Sequence, residues 1–322
     1  MSAAVGQASP STTPERELPT FSTQTRLLVV APHPDDETIA AGLLIQQVQA
    51  AGGEVRILLL TAGDNNPWPQ RWLERRVQIR DADRQRWGRR RHAEIAQALQ
   101  LLGLPPSALH ALGWPDMGVT DCLLQPGNTA VSTLAAVIGQ FRPSLIAMPS
   151  LDDRHPDHGA AHVLVLLALA GQTTPAQLLT YLVHGHAPDS AFFEIRGSSA
   201  EQATKLTALT AHHSQMVLSG NRMRHLAARP ERYVEVPKMP KESSTALPWQ
   251  PSAWLQPWLR LSVASAAGAQ SWRWKDAPLQ RDGHGVYHLP TLVAAEATPR
   301  FAKLAWGLPS LWIFDHWGWC EL

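Results

Sequence analysis

Two short polar segments hold the residues in this chain best suited to chemistry. Pro32-His33-Pro34-Asp35-Asp36-Glu37 follows one apolar run, and Asp152-Asp153-Arg154-His155-Pro156-Asp157-His158 follows another. Each sets imidazoles beside carboxylates. A catalytic zinc typically takes three protein ligands, His nitrogens and a carboxylate, and keeps a fourth position for water. His33 and Asp36 can reach one ion from a single loop, with Pro34 restricting the backbone between them. His158 can supply a third ligand from the start of the following helix. Such an ion lowers the pKa of its water to about 7 and polarises a carbonyl oxygen. Asp35 is then a spare carboxylate beside the ligands, placed to act as general base. His155 can stabilise a developing oxyanion or protonate a leaving group, and Asp157 can orient one of the imidazoles. The competing reading is structural: Asp35, Asp36 and Glu37 cap one helix and Pro156 opens another. Two such segments, each following a buried strand, favour a metal site.

Composition narrows the donor set. The chain has 322 residues, 14 histidines and 2 cysteines. Cys122 and Cys320 are too few for a disulfide framework or a thiolate cluster, so any metal must use His, Asp and Glu. Apolar residues make up 44%, enough for a sizeable core, and charged residues only 17%, which excludes a mainly disordered chain. A net charge of +1 excludes a chain that binds polyanions over its whole surface. Residues 1–24, rich in Ser, Thr, Pro and Gln, are expected to form a disordered leader without a signal peptide. The longest apolar run, 163–170, is far short of the ~20 residues that span a bilayer. The expectation is a soluble cytoplasmic protein without a transmembrane segment.

The elements that must position the two segments alternate along the chain. Strands are expected at 26–31, 55–60, 109–112, 144–148, 178–183 and 233–236. Helices are expected at 38–50, 71–102, 129–140, 158–170 and 201–213. Buried apolar runs separated by helices imply a mostly parallel sheet with helices on both faces, an α/β Rossmann-like fold. Ligands of such sheets bind beyond the carboxyl ends of the strands, where both polar segments fall. Past Pro237 the character changes. Residues 238–322 hold 9 of the 13 tryptophans and read as a β-rich extension or small second domain.

Taken together, Pro32-His33-Pro34-Asp35-Asp36-Glu37-Thr38 and His155-Pro156-Asp157-His158 resemble the PIG-L/LmbE-like zinc-dependent de-N-acetylases, with their (A/P)HPDDE and HPDH motifs. Weaker matches follow in the same order: Arg91-His92-Ala93-Glu94 before Leu102-Gly103, Leu112-Gly113-Trp114-Pro115-Asp116, and Lys205, His212, Ser214 and Gln215. The resemblance covers about residues 26–237 and implies hydrolysis of the acetamide of an N-acetylglucosamine-type sugar. It implies a deacetylase domain over 25–237, with 1–24 as leader and 238–322 as extension. Residue by residue, it assigns His33, Asp36 and His158 to the metal, Asp35 as base, His155 as the histidine that stabilises the tetrahedral intermediate and Asp157 as its partner. Arg91 and Asp116 match positions that bind sugar hydroxyls. Two family features differ: Ala40-Ala41-Gly42 stands where a Gly-Gly pair is usual, and Thr61-Ala62-Gly63 where TDG is usual.

The function expected is a zinc-dependent amidohydrolase, with another divalent metal such as Fe2+ as the alternative ion. Its partner is an N-acetylated amino-sugar conjugate, a surface-glycan or lipopolysaccharide precursor, anionic or lipid-linked. Nine arginines between Arg71 and Arg91 would suit a phosphate on that substrate or a peripheral membrane contact, or else form a solvated helix face. No aromatic ladder interleaves them, so nucleic acid is not an expected partner. Alternatives are a non-catalytic sugar- or phosphate-binding module and a metal-dependent nucleotide-sugar transferase. The histidines count against the transferase, since magnesium sites on diphosphates favour oxygen ligands. His162 reads as a core histidine, His184 and His186 as possible cleft residues, and Trp312, Trp317 and Trp319 as a cluster buried against the rest.

Overall fold

A computed structural model of the chain describes residues 19–172, 176–185, 191–237, 244–290, 299–308 and 313–322. Residues 1–18 of the expected leader lie outside the described residues. Residues 19–24 lead into a turn in which Thr25 N–H donates to Ser22 O at 2.9 Å. Among the described residues, no helix is long and apolar enough to cross a membrane.

The first half alternates β1 (Arg26–Ala31), α1 (Asp36–Ala50), β2 (Glu54–Thr61), α2 (Pro67–Glu74), α3 (Asp81–Leu101) and β3 (Leu109–Trp114). It continues with α4 (Val119–Leu124), α5 (Thr129–Phe141), β4 (Leu145–Pro149), α6 (Pro156–Ala170) and β5 (Gln177–Tyr181). Then come β6 (Phe193–Ile195), α7 (Ser199–Thr210), α8 (His213–Ala227) and β7 (Glu231–Glu235). The seven strands form one sheet in the order β3-β2-β1-β4-β5-β7-β6, parallel from β3 to β5 and antiparallel at β7 and β6. Strand β1 explains its own unbroken apolar run. Leu27, Val29 and Ala31 enter one core with α1 and α3, while Leu28 and Val30 enter the other with α5 and α6. Between β1 and β4 the strand order reverses, and both polar segments start there.

Three expectations change. The helix expected over 71–102 is two, because Arg75 takes a left-handed φ of 51° and ends α2. The arginines of this stretch are largely solvated and paired, Arg76 and Arg86 with Asp83 and Arg90 with Glu94. Second, the candidate at 201–213 is α7 followed by a further helix, α8, whose apolar pattern is sparse: Met223 and Ala227 are its buried apolar residues. Third, α4 and β6, too short for a periodicity to register, were not anticipated.

Beyond β7, β8 (Leu259–Ser265), β9 (Gly268–Arg273), β12 (Arg300–Trp306) and β13 (Gly318–Glu321) form an antiparallel sheet in the order β13-β12-β8-β9. A small ribbon joins β10 (Gln280–Arg281) to β11 (Tyr287–His288). One face of the sheet shares the main core, where Ala264, Phe301 and Trp319 pack with α6. A Cβ at Gly159 of α6 would lie 3.1 Å from the Trp319 ring, so glycine lets that indole approach. Trp274 and Trp319 are buried and Trp317 packs on Trp306, but Trp254, Trp258 and Trp306 are exposed. Trp312 lies outside the described residues.

A buried ion pair ties α1 to the far edge of the sheet. Lys205 Nζ lies 2.5 Å from Glu231 Oε1, both side chains sealed from solvent. Glu231 also accepts the backbone N–H groups of Leu43 and Leu44 inside α1, at 2.7 and 3.0 Å. The Lys205 chain fills the space over Gly42, where a Cβ would come within 2.9 Å of it. Removing one partner of such a pair strands the other charge, at about 3–5 kcal/mol. Lys205→Met is therefore expected to lower unfolding stability by about that amount in urea titration, and Gly42→Ala by less.

Candidate active site

Beta-strand β1 delivers its chain to a turn that places Pro32, His33 and Asp36 at the sheet's carboxyl edge. Thr61 at the end of β2 holds that turn, its hydroxyl donating to Pro32 O at 2.9 Å. Asp36 opens α1, and its Oδ2 accepts the His33 backbone N–H at 2.9 Å. From β4, the second segment brings His155 as the cap of α6, with Pro156, Asp157 and His158 in its first turn.

The two segments meet around Asp36. Its Oδ2 lies 3.3 Å from His33 Nδ1 and 3.2 Å from His158 Nε2. On the other side of His33, Nε2 lies 3.3 Å from both Asp116 Oδ1 and Asp157 Oδ2. Behind His158, Nδ1 lies 3.1 Å from Asp153 Oδ2. The His33 and His155 rings meet edge to face at 4.5 Å, and His184 lies 5.2 Å from His158. Asp36, Asp153, Asp157 and His158 are buried, and His33 and Asp36 line a cavity of about 310 Å³.

Burial and the neighbouring charges set the protonation states. Burial works against charge on His158, but Asp153 and Asp36 hold its pKa up at about 10. Burial likewise opposes the His33 cation, and Asp116, Asp157 and Asp36 outweigh it. Asp153 stays ionised despite burial, pulled down to about 2 by His158. Burial pushes the Asp35 carboxyl up to about 6, against the pull of Arg91. His155 is held neutral by burial and by the neighbouring histidines. Its Nδ1 accepts the Asp157 backbone N–H at 3.3 Å, so its proton sits on Nε2.

The donor set fits a divalent ion. Four-coordinate ligands about 2.0–2.1 Å from one zinc stand about 3.3–3.4 Å apart, close to the spacing of Asp36 Oδ2 from the two imidazole nitrogens. Both His158 nitrogens are fully buried without a well-formed hydrogen bond, as a ligand nitrogen would be before its ion binds. Among the described residues, the groups whose ligand atoms all lie within 4.8 Å of one another are His33, His155 and His158; Asp36, His158 and His184; and His33, Asp116 and Asp157, each holding at most two of the three expected ligands.

The remaining expected residues divide between cavity and frame. Asp35 lines the cavity from a backbone with φ 125°, a conformation rarely held by residues other than glycine. Arg91 faces inward. Its Nη1 donates to Gly63 O at 2.6 Å and its Nη2 to Pro34 O at 2.5 Å, with Asp35 Oδ2 at 3.3 Å. It therefore braces the Asp35 loop from the cavity wall. Asp116 lines the cavity and accepts the Asn65 N–H at 2.7 Å. The Asp157 carboxylate is turned toward His33 and the N–H groups of Met117 and Val119, and only its backbone meets the His155 ring. His162 is a core residue bonded to Pro149 O, and His186 lies outside the described residues. Lys205, His212 and Ser214 stand behind the site: Lys205 on Glu231, His212 on Glu37 at 3.0 Å, Ser214 on Glu94.

Two residues gain roles that sequence reasoning did not assign. His184, read only as a possible cleft residue, joins the cluster from the loop after β5. Asp153 accepts N–H groups from His155, Val183 and His184 at 3.0, 2.9 and 3.0 Å. It locks that loop to the second motif, although a carboxylate two residues before His155 carried no signal of its own.

Residues 28–169 match the PIG-L family, described as GlcNAc-PI de-N-acetylase. Over that segment the chain is similar to PIG-L domains. It is 29% identical over 200 residues to a 1D-myo-inositol 2-acetamido-2-deoxy-alpha-D-glucopyranoside deacetylase of Mycolicibacterium vanbaalenii, covering 57% of this chain and 68% of that protein. To the protein of the same name from Mycolicibacterium smegmatis it is 34% identical over 157 residues, 45% of this chain and 53% of the relative. Between these two relatives the match spans from about half to two thirds of their own length. Two solved structures share the fold. The N,N'-diacetylchitobiose deacetylase of Pyrococcus horikoshii has a TM-score of 0.50 at 17% identity, over 66% of this chain and 84% of its own. A teicoplanin deacetylase has 0.51 at 17%, over 67% of this chain and 100% of its own.

The Asp153 geometry is testable apart from any ion. Asp153→Ala strands three buried N–H donors, each costing about 1–3 kcal/mol. Urea titration in the presence of chelator is expected to show a loss of at least 2 kcal/mol on that scale, and Asp153→Asn a smaller one.

Proposed function

We propose that the chain is a metal-dependent hydrolase that removes the acetyl group from an N-acetylglucosamine-type sugar conjugate, releasing acetate and a free amine. The observation that carries this reading is Asp36 Oδ2 set between His33 Nδ1 and His158 Nε2, with the Asp35 carboxylate in the same cavity. His33, Asp36 and His158 would hold the ion, and their two nitrogens and one oxygen suit Zn2+ over Mg2+, with Fe2+ as the alternative. When bound, the ion supplies Lewis-acid polarisation of the acetyl carbonyl and a more acidic water.

The chain's own residues supply the rest. Asp35 Oδ2 faces Arg91, which leaves Oδ1 to take a proton from water. A carboxyl raised to about 6 is matched to that task near neutral pH. Neutral His155 carries its proton on Nε2, where it can donate to the developing oxyanion or the departing amine. Asp157 fixes His33 and the 117–119 backbone, and so holds the ligand loop against α6. Asp116, beside Asn65 in the cavity, is placed to bind sugar hydroxyls, and Arg91 to keep Asp35 in its strained backbone state.

The relatives named as glucosaminide deacetylases support the choice of an N-acetylated amino sugar. A surface-glycan or lipopolysaccharide precursor, anionic or lipid-linked and met in the cytoplasm, extends the proposal. Two cysteines in 322 residues fit a reducing compartment, and the arginines of 71–91 fit an anionic substrate. A non-catalytic binding module would leave the half-buried, strained Asp35 without a purpose.

The test is acetate release from N-acetylglucosamine conjugates, with metal content measured on the same protein. Asparagine tolerates positive φ and removes the charge. Asp35→Asn is thus expected to keep the metal and the melting temperature while lowering kcat by about 10²–10⁴-fold. Full activity in that variant, or wild-type protein purified gently without metal, would overturn the reading. Chelation is expected to abolish turnover and Zn2+ to restore it, whereas His33→Ala should lose both metal and turnover.

A further inference from the structure

The cavity has two unlike walls. Asp35, Asp36, Asn65 and Asp116 make one side polar, while Ile39, Val183, Met223, Leu226, Ile313 and Phe314 give apolar surface elsewhere, beside Gln215, Ser219 and Arg222 of α8. Three of the apolar residues come from α1 and α8, and Val183 from the loop after β5. Ile313 and Phe314 come from the last ten residues, far beyond the segment 28–169 that matches the family.

The C-terminal residues are held over the site by specific contacts. Asp315 N–H donates to Arg154 O at 2.8 Å, tying the segment to the loop that carries His155. The Asp315 carboxylate pairs with Lys303, which is buried on β12. The Phe314 ring lies 5.4 Å from the His184 ring and 6.4 Å from the His155 ring, with the Arg154 guanidinium 6.0 Å from its centroid. An aromatic ring is thus fixed against the histidine proposed to act as proton donor, on the apolar side of the cavity.

We infer that Ile313 and Phe314 complete an apolar subsite beside the reacting amide, so that the substrate carries an apolar substituent next to its polar sugar. A plain N-acetylhexosamine would leave this wall facing water. A substituent that displaces water from it gains affinity with each buried methylene. The substituent is either the aglycone or an N-acyl chain longer than acetyl, and both present the same chemistry to the wall. The inference rests on the deacetylase reading for the orientation of the amide, and on the cavity lining for the subsite itself.

Two substrate pairs test it, with the release of carboxylate as readout. One pair is the hexyl and methyl glycosides of N-acetylglucosamine, and the other is N-hexanoyl- and N-acetylglucosamine. Wild-type protein is expected to show a KM at least ~10-fold lower for the longer member of one pair. Preference within the first pair assigns the wall to the aglycone, and within the second to the acyl chain. No preference in either pair overturns the subsite. Phe314→Ser is expected to bring the KM ratio of the preferred pair to about one, while Phe314→Leu keeps most of it. A preference undiminished in Phe314→Ser removes the C-terminal segment from the proposal. If Phe314→Ser melts early, Ile313→Ser carries the comparison, with the ratio expected to fall at least ~3-fold; an unchanged ratio overturns the assignment. Calorimetric binding of hexyl and methyl 2-amino-2-deoxyglucosides separates the two readings. Tighter binding of the hexyl compound that Phe314→Ser abolishes supports the subsite even if no conjugate is hydrolysed; equal binding of the two compounds overturns the aglycone assignment, and equal binding of hexanoate and acetate as well overturns the subsite.

Discussion

Everything at the head of this sheet follows from burying more negative charge than the chain can leave unpaired. Asp36, Asp116, Asp153 and Asp157 are withdrawn from water within reach of His33 and His158. An ionised carboxylate in such a place is tolerated only when it is paired and hydrogen-bonded. Each is: Asp157 by the amides of Met117 and Val119, Asp153 by three amides, Asp116 by Asn65, Asp36 by the His33 amide. The loops after β1, β3, β4 and β5 are therefore fastened to one another through the acidic groups themselves. A cation shared by His33, Asp36 and His158 answers the same demand. The carboxylate without a backbone amide of its own, Asp35, is the one whose pKa rises toward neutrality.

Behind this layer a second ring of buried charge keeps the helices in place. Glu37 meets His212, Glu94 meets Ser214, and Glu231 meets Lys205 together with two amides of α1. These contacts join α7, α8 and β7 to the helix that carries Asp36. The spaced Lys, His, Ser and Gln residues of 205–215 thus belong mostly to the frame, with Gln215 alone among them lining the cavity. On the opposite face the C-terminal sheet lies on α6 through Trp319 and Phe301, and its last residues turn back over the histidines.

Much of this was legible before folding was considered. The runs at 26–31 and 144–148 are apolar on both faces, and that pattern belongs to interior parallel strands. The polar segments that follow them fall where such sheets bind ligands. The pairing of His33 with Asp36 was readable because both lie in one loop, and His158 because its motif is dense in donors. By contrast, Asp153 and His184 acquire their parts from a contact 31 residues apart in sequence. Nothing local distinguishes them from surface residues. Arg91, expected to reach sugar, lines the cavity and also braces the Asp35 loop, because its guanidinium finds two carbonyls inside the wall.

The sequence by itself determined the chemistry available: imidazole and carboxylate donors without a thiolate set, at the ends of two strands that must be buried. It determined most of the strand and helix order of the first two thirds, though not α4, α8 or β6, since apolar periodicity is a local property. Tertiary structure alone decided which carboxylate is desolvated, which imidazole stays neutral and which side chains face the cavity. Those outcomes depend on what each group is packed against, and burial and Coulomb interaction act through space and not along the chain. The same holds for the tryptophan-rich end. Its composition announced a β-rich layer, but only the packing of β12 and β13 on α6 brings Phe314 to the site.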